Sequence, residues 1–338
     1  MRLPLIKEQS VLVSVAIITY NHEEYIFEAL ESVVSQKTDF RFEIIIGDDR
    51  SQDKTQDILI KFKEKYSDKI NLILRKENIG SINNLEDVIH QCKGKYIAFL
   101  EGDDYWTDEF KLQKQVDFLE LNEEYIGVAH RHHILHQNYK NKYFELYSTM
   151  FSEKKFTFND FTRYRFQFHM NSLMCRNIFT NEPWKYHDLF HSSKLSMDYT
   201  LFLVLLDEGN LYVLKDSMSV YRYVVKVGKD NYYSLVKKDP SKLINDTIKR
   251  HEVLIPYFEK RHDMTYIKSF LLVTIAKDSI LNRSKNDFCS RYLNAEKSVK
   301  MHFWEFVVKN WAIWPIKKMK HLISVITRVG KRKDTVGR

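Results

Sequence analysis

Val11–Ile18 (VLVSVAII) is an apolar, largely β-branched run, the pattern of a strand buried on both faces of a parallel sheet. It gives way to the polar Thr19-Tyr20-Asn21, after which Ile26, Ala29, Leu30, Val33 and Val34 recur at helical spacing. Asn21, with Glu24 three residues on, has the form of a capping box for that helix. The unit then repeats. Glu43–Gly47 (EIIIG) is a second strand ending in Asp48-Asp49, and Ser51 or Asp53 is placed to cap a helix carrying Ile58, Leu59, Phe62 and Tyr66. Ile70–Leu74 is a third strand. Asn78-Ile79-Gly80 makes a turn into a helix with Ile82, Leu85, Val88, Ile89 and Cys92 on one stripe, which Gly94 stops. Tyr96–Leu100 is the fourth strand, running directly into Glu101-Gly102-Asp103-Asp104.

Strands alternating with helices predict an α/β fold with a mostly parallel, doubly wound central sheet. Ligands of such sheets sit beyond the carboxyl ends of the strands. Thr19–Asn21, Asp48-Asp49, Asn78–Gly80 and Glu101–Asp104 all fall at those ends, which indicates one site. Three carboxylates in four residues repel one another unless a cation or sugar hydroxyls lie among them, and Gly102 lets a ligand approach the backbone. Neither GxGxxG nor GxxxxGK[ST] occurs, so a phosphorylated ligand would be held at this acidic site through a metal.

Beyond about Lys237 the apolar spacing is helical throughout, giving a C-terminal helical extension. The chain thus divides into residues 1–236 and a helical region 237–338. Its 338 residues, 44% hydrophobic with 9 Gly and 5 Pro, exclude a disordered or fibrous class. Cys92, Cys175 and Cys289 are too few and too scattered for a disulfide framework or zinc cluster, which suggests a reducing compartment. The first ten residues lack a signal-peptide core and no run of 18 uncharged apolar residues occurs, so a cytoplasmic protein is expected. Of the net charge of +8, +7 lies in Ile316–Arg338, where eight Lys/Arg face one acid. With the tryptophans of Phe303–Trp314 (FWEFVVKNWAIW), this basic tail has the makings of an interfacial helix on an anionic membrane surface. No RNA-binding motif accompanies it, and no nucleic-acid partner is expected.

The ordered motifs SVAIITYNHEEY, EIIIGDDRSQDKT, ENIGSINN, GKYIAFLEGDDYWTDEFKLQKQ and MDYTLFLVLLDEGNLYVLKDSMSVYR resemble those of the family 2 glycosyltransferases of the GT-A fold, over roughly residues 12–225. The resemblance implies an inverting transfer of a sugar from a nucleoside-diphosphate donor, with uridine favoured, to a glycan or lipid-linked acceptor, assisted by Mn²⁺ or Mg²⁺, with residues 1–130 as the nucleotide-sugar half and 131–236 as the acceptor half of the domain. By the same resemblance Thr19, Tyr20 and Asn21 contact the base with Glu23 just inside the helix. Asp49 accepts the uracil N–H beside its neighbour Asp48, and Gly80 and Asn84 flank the nucleotide. Glu101-Gly102-Asp103 stands for the DxD motif, with Asp103 the metal ligand and Asp104 next to it; Asp198, leading an apolar helix, is the general base.

Many relatives carry a His shortly after the Tyr-Arg that here is Tyr221-Arg222. This chain continues Tyr223-Val224-Val225-Lys226, with Lys226 or Lys229 as substitutes for a phosphate charge. Trp106, with Tyr20 and Tyr105, is a candidate sugar-stacking ring; His169 and Ser172 are candidate acceptor contacts. His130, His132, His133 and His136 follow a strand at Ile126–Ala129, match no common structural zinc spacing and are expected to face the diphosphate or the acceptor. The alternative function is a catalytically silent sugar-nucleotide-binding subunit of a glycan-synthesis complex, because Glu101 departs from the motif and the His is missing.

Overall fold

Seven residues of strand β1 (Val13–Thr19) are all buried, as the apolar run requires. The strand is paired in parallel with β2 (Phe42–Asp48) on one side and β4 (Tyr96–Glu101) on the other, and β3 (Ile70–Leu74) adds to β2. Helices α1 (Ile26–Val34), α2 (Thr55–Lys65) and α3 (Ser81–His90) connect these strands. Ile26, Ala29, Leu30 and Val33 are the buried stripe of α1, and Ile82, Leu85, Val88 and Ile89 that of α3. The computed structural model describes residues 10–138, 143–148, 153–164, 168–180, 185–195, 197–225, 239–282 and 286–309.

After β5 (Tyr105–Trp106) and α4 (Lys111–Leu121) come β6 (Tyr125–Asn138), β7 (Tyr143–Ser148), β8 (Lys154–Phe156), α5 (Phe158–Tyr164) and a 3₁₀ turn at Met170–Ser172. Then follow β9 (Met174–Arg176), α6 (His187–Phe190), α7 (Asp198–Glu208) and β10 (Asn210–Val225). The sheet order is β3-β2-β1-β4-β9-β6-β10-β5, with β7 on β6 and β8 on β10. The parallel expectation holds for the first four strands and for β6 with β10. Among the described residues the other pairings, β9 with β4 and β6 included, are antiparallel. The sheet is therefore mixed, because β9 enters between β4 and β6 directly from the 3₁₀ turn rather than through a crossover helix.

Three local expectations need correction. Helix α1 begins at Ile26 with no side-chain cap, and Asn21 instead adopts φ 56° in the preceding loop, a conformation asparagine tolerates. Helix α3 ends at His90, before Gly94. Strand β6 does not stop at Ala129 but continues through the histidine run.

The chain separates into two compact units, Met1–Phe190 with Ser196–Lys229, and His191–Leu195 with Asp230–Arg338. The second is built on helices α8 (Pro240–Phe258), α9 (Thr265–Asn282), α10 (Asn286–Asn294) and α11 (Lys297–Lys309). Leu254, Phe258, Ile267, Ile275, Ala276, Phe288, Phe303 and Val307 are buried in it. Asp246 ties in the short segment, accepting from Ser193 Oγ and Lys194 N, both at 2.6 Å. Trp304 is part of this packing and donates from Nε1 to Tyr292 Oη at 2.8 Å. The remaining tryptophans of that stretch, the basic tail, Lys226 and Lys229 lie outside the described residues. No described helix is long and apolar enough to cross a membrane.

Candidate active site

The loops after β1 and β2 are sewn together by their own polar side chains. Asn21 N donates to Ser51 Oγ (2.9 Å) and Gln52 N to Asn21 Oδ1 (2.7 Å). His22 N donates to Thr55 Oγ1 (2.9 Å), Glu23 N to Asp53 Oδ2 (3.1 Å) and Lys54 N to Glu23 Oε2 (3.1 Å). Asn21 and Glu23 thus brace the start of α2. Neither Ser51 nor Asp53 is the cap of that helix, whose N-cap is Lys54 without a side-chain cap bond; Asp53 lies one residue before it and accepts from Thr55 N at 3.0 Å.

Asp48 is fully buried, accepting from Ser51 N (3.0 Å), Ser51 Oγ and Gln56 Nε2 (2.6 Å). Asp49 grips the next turn: Oδ1 accepts from Ile79 N (2.7 Å) and Oδ2 from Gly80 N (2.9 Å). Gly80 has φ +86°, which that turn requires and an L side chain rarely adopts. Asn84 does not face the site. It is 1% exposed, donating to Gly47 O at 2.8 Å and accepting from Arg75 Nε at 3.4 Å, so it locks α3 against β2.

Gly102 is needed for a reason different from the one the sequence suggested. A Cβ there would lie 2.6 Å from Thr19 Oγ1, 2.7 Å from Thr19 Cβ and 2.9 Å from His22 Nδ1, so the glycine makes room for those side chains. His22 Nδ1 is 3.2 Å from Thr19 Oγ1, and its Nε2 lies 3.8 Å from Asp103 Oδ2.

Asp104 turns inward. It is buried, accepting from Arg222 N (2.8 Å) at Oδ1 and Asn171 Nδ2 (2.8 Å) at Oδ2. Arg222 in turn donates to Asp103 O (2.6 Å), pairs with Glu28, and lays its guanidinium 4.4 Å from the Tyr105 ring centre. Asn171 also donates to Val220 O (3.2 Å) and accepts from Ser219 Oγ (3.0 Å). The acidic turn is therefore clamped between β10 and the 3₁₀ turn by Asn171 and Arg222, neither of which the sequence reading assigned a role.

Two expected acceptor contacts are interior instead. Trp106 is 4% exposed, donates from Nε1 to Asn171 O (2.9 Å) and has Lys111 Nζ 4.0 Å over its ring; pairing of β5 with β10 draws it into the core. Ser172 is fully buried and donates to His169 O at 2.6 Å. Tyr20, in contrast, is 38% exposed at the β1 end.

His169 does reach the acids. Its Nε2 is 3.5 Å from Glu101 Oε2, its Nδ1 is 3.4 Å from Asp104 Oδ2, and its ring stacks 4.1 Å from Tyr221. His132 lies 6.0 Å away, ring to ring, so one member of the histidine strand borders the site. Glu101, Asp104 and His169 each place a ligand atom within 4.8 Å of the others, which Asp103 does not share. This donor set of carboxylates and one imidazole suits a divalent cation of the Mn²⁺ class.

The electrostatics reflect the crowding. Burial first, then the charges of Asp103 and Asp198, push Glu101 up to about 8. Burial and the Asp103 and Glu101 charges hold Asp104 well above the ordinary range, against its bonds from Arg222 and Asn171. Burial lowers His169, opposed by Asp198 and Asp103, so its imidazole is neutral and able to ligate. Asp198, the first residue of α7, accepts from Tyr199 N at 2.8 Å and acts on both Glu101 and His169.

The model of glycosyl transferase family 2 matches residues 14–181, half of the chain. An uncharacterised Mycobacterium tuberculosis protein is 32% identical over 214 residues, 62% of this chain and 58% of that protein. The Escherichia coli UDP-Glc:alpha-D-GlcNAc-diphosphoundecaprenol beta-1,3-glucosyltransferase WfaP is 37% identical over 120 residues, 35% of this chain and 45% of the enzyme. The chain thus spans about half the length of these relatives. In fold it is similar to Staphylococcus aureus TarS 1-349, solved in complex with UDP-GlcNAc, with a TM-score of 0.54 and 16% identity over 94% of this chain and 83% of TarS. The mixed sheet with acids gathered at its strand ends and the family match agree, and the chain belongs to glycosyl transferase family 2 through the domain at residues 14–181.

Proposed function

We propose that the protein is a metal-dependent inverting glycosyltransferase, moving a sugar from a uridine-diphosphate donor to a hydroxyl of a growing glycan or lipid-linked acceptor. The observation that supports this reading is convergence of polar groups on one edge of the sheet: Asp49 N donates to Thr19 O at 3.0 Å, His22 Nε2 lies 3.8 Å from Asp103 Oδ2, and His169 Nε2 lies 3.5 Å from Glu101 Oε2, with Asp198 among the charges acting on Glu101 and His169. The donor lies across the ends of β1, β2 and β4. Asp49 meets the base with the lone pairs its two backbone bonds leave free, Thr19, Tyr20 and Asn21 line the same edge, and Glu101 and Asp103 face the diphosphate.

The acceptor hydroxyl becomes a stronger nucleophile as its proton passes to Asp198, the general base. The oxygen attacks the anomeric carbon, and the bond to the diphosphate breaks on the opposite side. Asp103 and its neighbours would hold Mn²⁺ or Mg²⁺, which when bound neutralises charge developing on the leaving group. Asp104, Asn171 and Arg222 position the acidic turn. A cytoplasmic enzyme resting on the inner membrane face through its basic tail would meet a lipid-linked acceptor there.

The test is nucleoside-diphosphate release from a panel of sugar nucleotides with Mn²⁺, Mg²⁺ or chelator. Metal-dependent release from one uridine donor is expected. Donor binding without release when glycan and lipid-linked acceptors are supplied would overturn the reading in favour of a silent binding subunit.

A further inference from the structure

Helix α1 has a polar face beside its apolar stripe. Glu28, Ser32 and, just past the end of the helix, Gln36 recur every four residues, and all three engage the chain around the acidic turn. Ser32 Oγ accepts from Trp106 N at 3.1 Å, and Gln36 donates to Asp108 O at 2.8 Å and accepts from Leu112 N at 3.1 Å. Glu28 makes its connection through the Arg222 guanidinium. That guanidinium is a permanent positive charge set among acids. Its Nη1 donates to Asp103 O at 2.6 Å, and the backbone N of the same residue donates to Asp104 Oδ1 at 2.8 Å. The ring centres of Tyr105 and Tyr25 lie 4.4 and 5.2 Å from it. The Arg222 side chain is 5% exposed and that of Glu28 54%, so the carboxylate closes the guanidinium off from solvent. Among the described residues Nε has no partner, and Glu28 is the carboxylate that pairs with this cation. A buried guanidinium stripped of its counter-charge is costly, and the relief at hand is the carboxylates of Asp103 and Asp104, whose turn it already holds. An arginine drawn onto them would neutralise the acids on the donor side of the site.

We infer that Glu28 is a positioning residue of the transfer reaction: by pairing with the Arg222 guanidinium it keeps that cation on the Asp103 carbonyl and off the acidic side chains. The inference rests on the glycosyltransferase reading and adds to it a residue from a helix face, away from the strand ends. Because Glu28 acts through Arg222, its effect on the reaction exists only while Arg222 is present.

The experiment is a double-mutant cycle on the full chain, with Glu28→Gln, Arg222→Met and the two together, read as kcat/KM for nucleoside-diphosphate release with Mn²⁺ and, separately, as the urea midpoint. Glu28→Gln keeps the length of the side chain at a half-exposed position and loses its charge. It should lower kcat/KM by about 10-fold or more, whereas Glu31→Gln, which removes a charge three residues further along the same helix, should stay within about twofold of wild type. In the Arg222→Met background Glu28→Gln should change kcat/KM by no more than about twofold. A lowered urea midpoint with unchanged kcat/KM in Glu28→Gln would make the pair a stability contact only and overturn the assignment. So would an equal loss of kcat/KM from Glu28→Gln in the wild-type and Arg222→Met backgrounds, because Glu28 would then act by another route. The comparison of Glu28→Gln with wild type needs no Arg222 variant to fold. Both of these outcomes leave the glycosyltransferase reading standing. A wild type that releases no nucleoside diphosphate from any sugar nucleotide, with glycan and lipid-linked acceptors supplied, would remove that reading and the Glu28 assignment with it.

Discussion

Replacing Trp106 with Phe separates a ligand-stacking ring from a core ring. Trp106 follows the acidic turn directly, where a sugar-stacking aromatic would be expected, yet it is 4% exposed. Phe retains the aromatic face and most of the buried area. It loses the Nε1–H bond to Asn171 O (2.9 Å), and leaving that buried carbonyl unpaired costs about 1–3 kcal/mol. The smaller ring leaves a void of about 40 Å³, and at about 24 cal/mol per Å³ this adds about 1 kcal/mol. The total is about 3 kcal/mol. With a denaturant slope of about 3 kcal/mol/M, the urea midpoint followed by far-UV circular dichroism should fall by about 1 M. Sugar-nucleotide affinity, measured calorimetrically below the transition, should stay within about threefold, a change of less than about 0.7 kcal/mol. An unchanged midpoint with binding weakened tenfold or more would refute the reasoning and return Trp106 to the ligand.

Gly102→Ala must displace Thr19 or His22, and an overpacking cost of about 1–3 kcal/mol should appear as a lowered melting temperature; a melting curve superimposable on wild type would show that the approach is not tight. Asn171→Ala removes the side-chain bonds to Asp104, Val220 and Ser219 and should cost about 3 kcal/mol in urea, with loss of nucleotide binding alongside; full stability would mean that the clamp is dispensable. Burial holds His132 down to about 3 and also lowers His130, whereas both take up protons near 6.5 when unfolded. Their stabilisation is complete above that pH and is lost as pH falls, by about 1.4 kcal/mol per unit for each histidine. Glu101 and Asp104, held above their ordinary range, act in the opposite sense over the same interval, so the readout is differential: between pH 7 and pH 5 the urea midpoint of His132→Phe should shift relative to that of the wild type, and an identical pH dependence in a folded His132→Phe would exclude the effect.

The first four strands were readable because Val13–Thr19 and its neighbours are buried on both faces, which forces near-continuous apolar runs whatever lies beside them. The acids were readable because polar residues directly after such runs have only the sheet's carboxyl edge to occupy. The clamp was not. Asp104 meets Asn171 across 67 residues and Arg222 across 118, and no local spacing encodes such pairs. Trp106 misled for a related reason: whether an aromatic beside acids stacks a ligand or fills the core depends on the pairing of β5 with β10, which is set by residues a hundred positions away. Asn84 and Ser172 have the composition of ligand contacts, but both are spent on backbone groups inside the fold. The insertion of β9 between β4 and β6 likewise left no signal, since a three-residue strand is too short to show a period.

Asp198→Asn tests the central claim most directly, because the amide keeps size and polarity while losing the ability to take a proton. Donor binding and nucleoside-diphosphate release into acceptor would be measured side by side with Asp103→Asn. The account predicts that Asp198→Asn binds the donor within a few fold of wild type while turnover falls by about 100-fold or more, and that Asp103→Asn loses both. Near-wild-type turnover in a folded Asp198→Asn would contradict the account, because the proton would then leave the acceptor by another route.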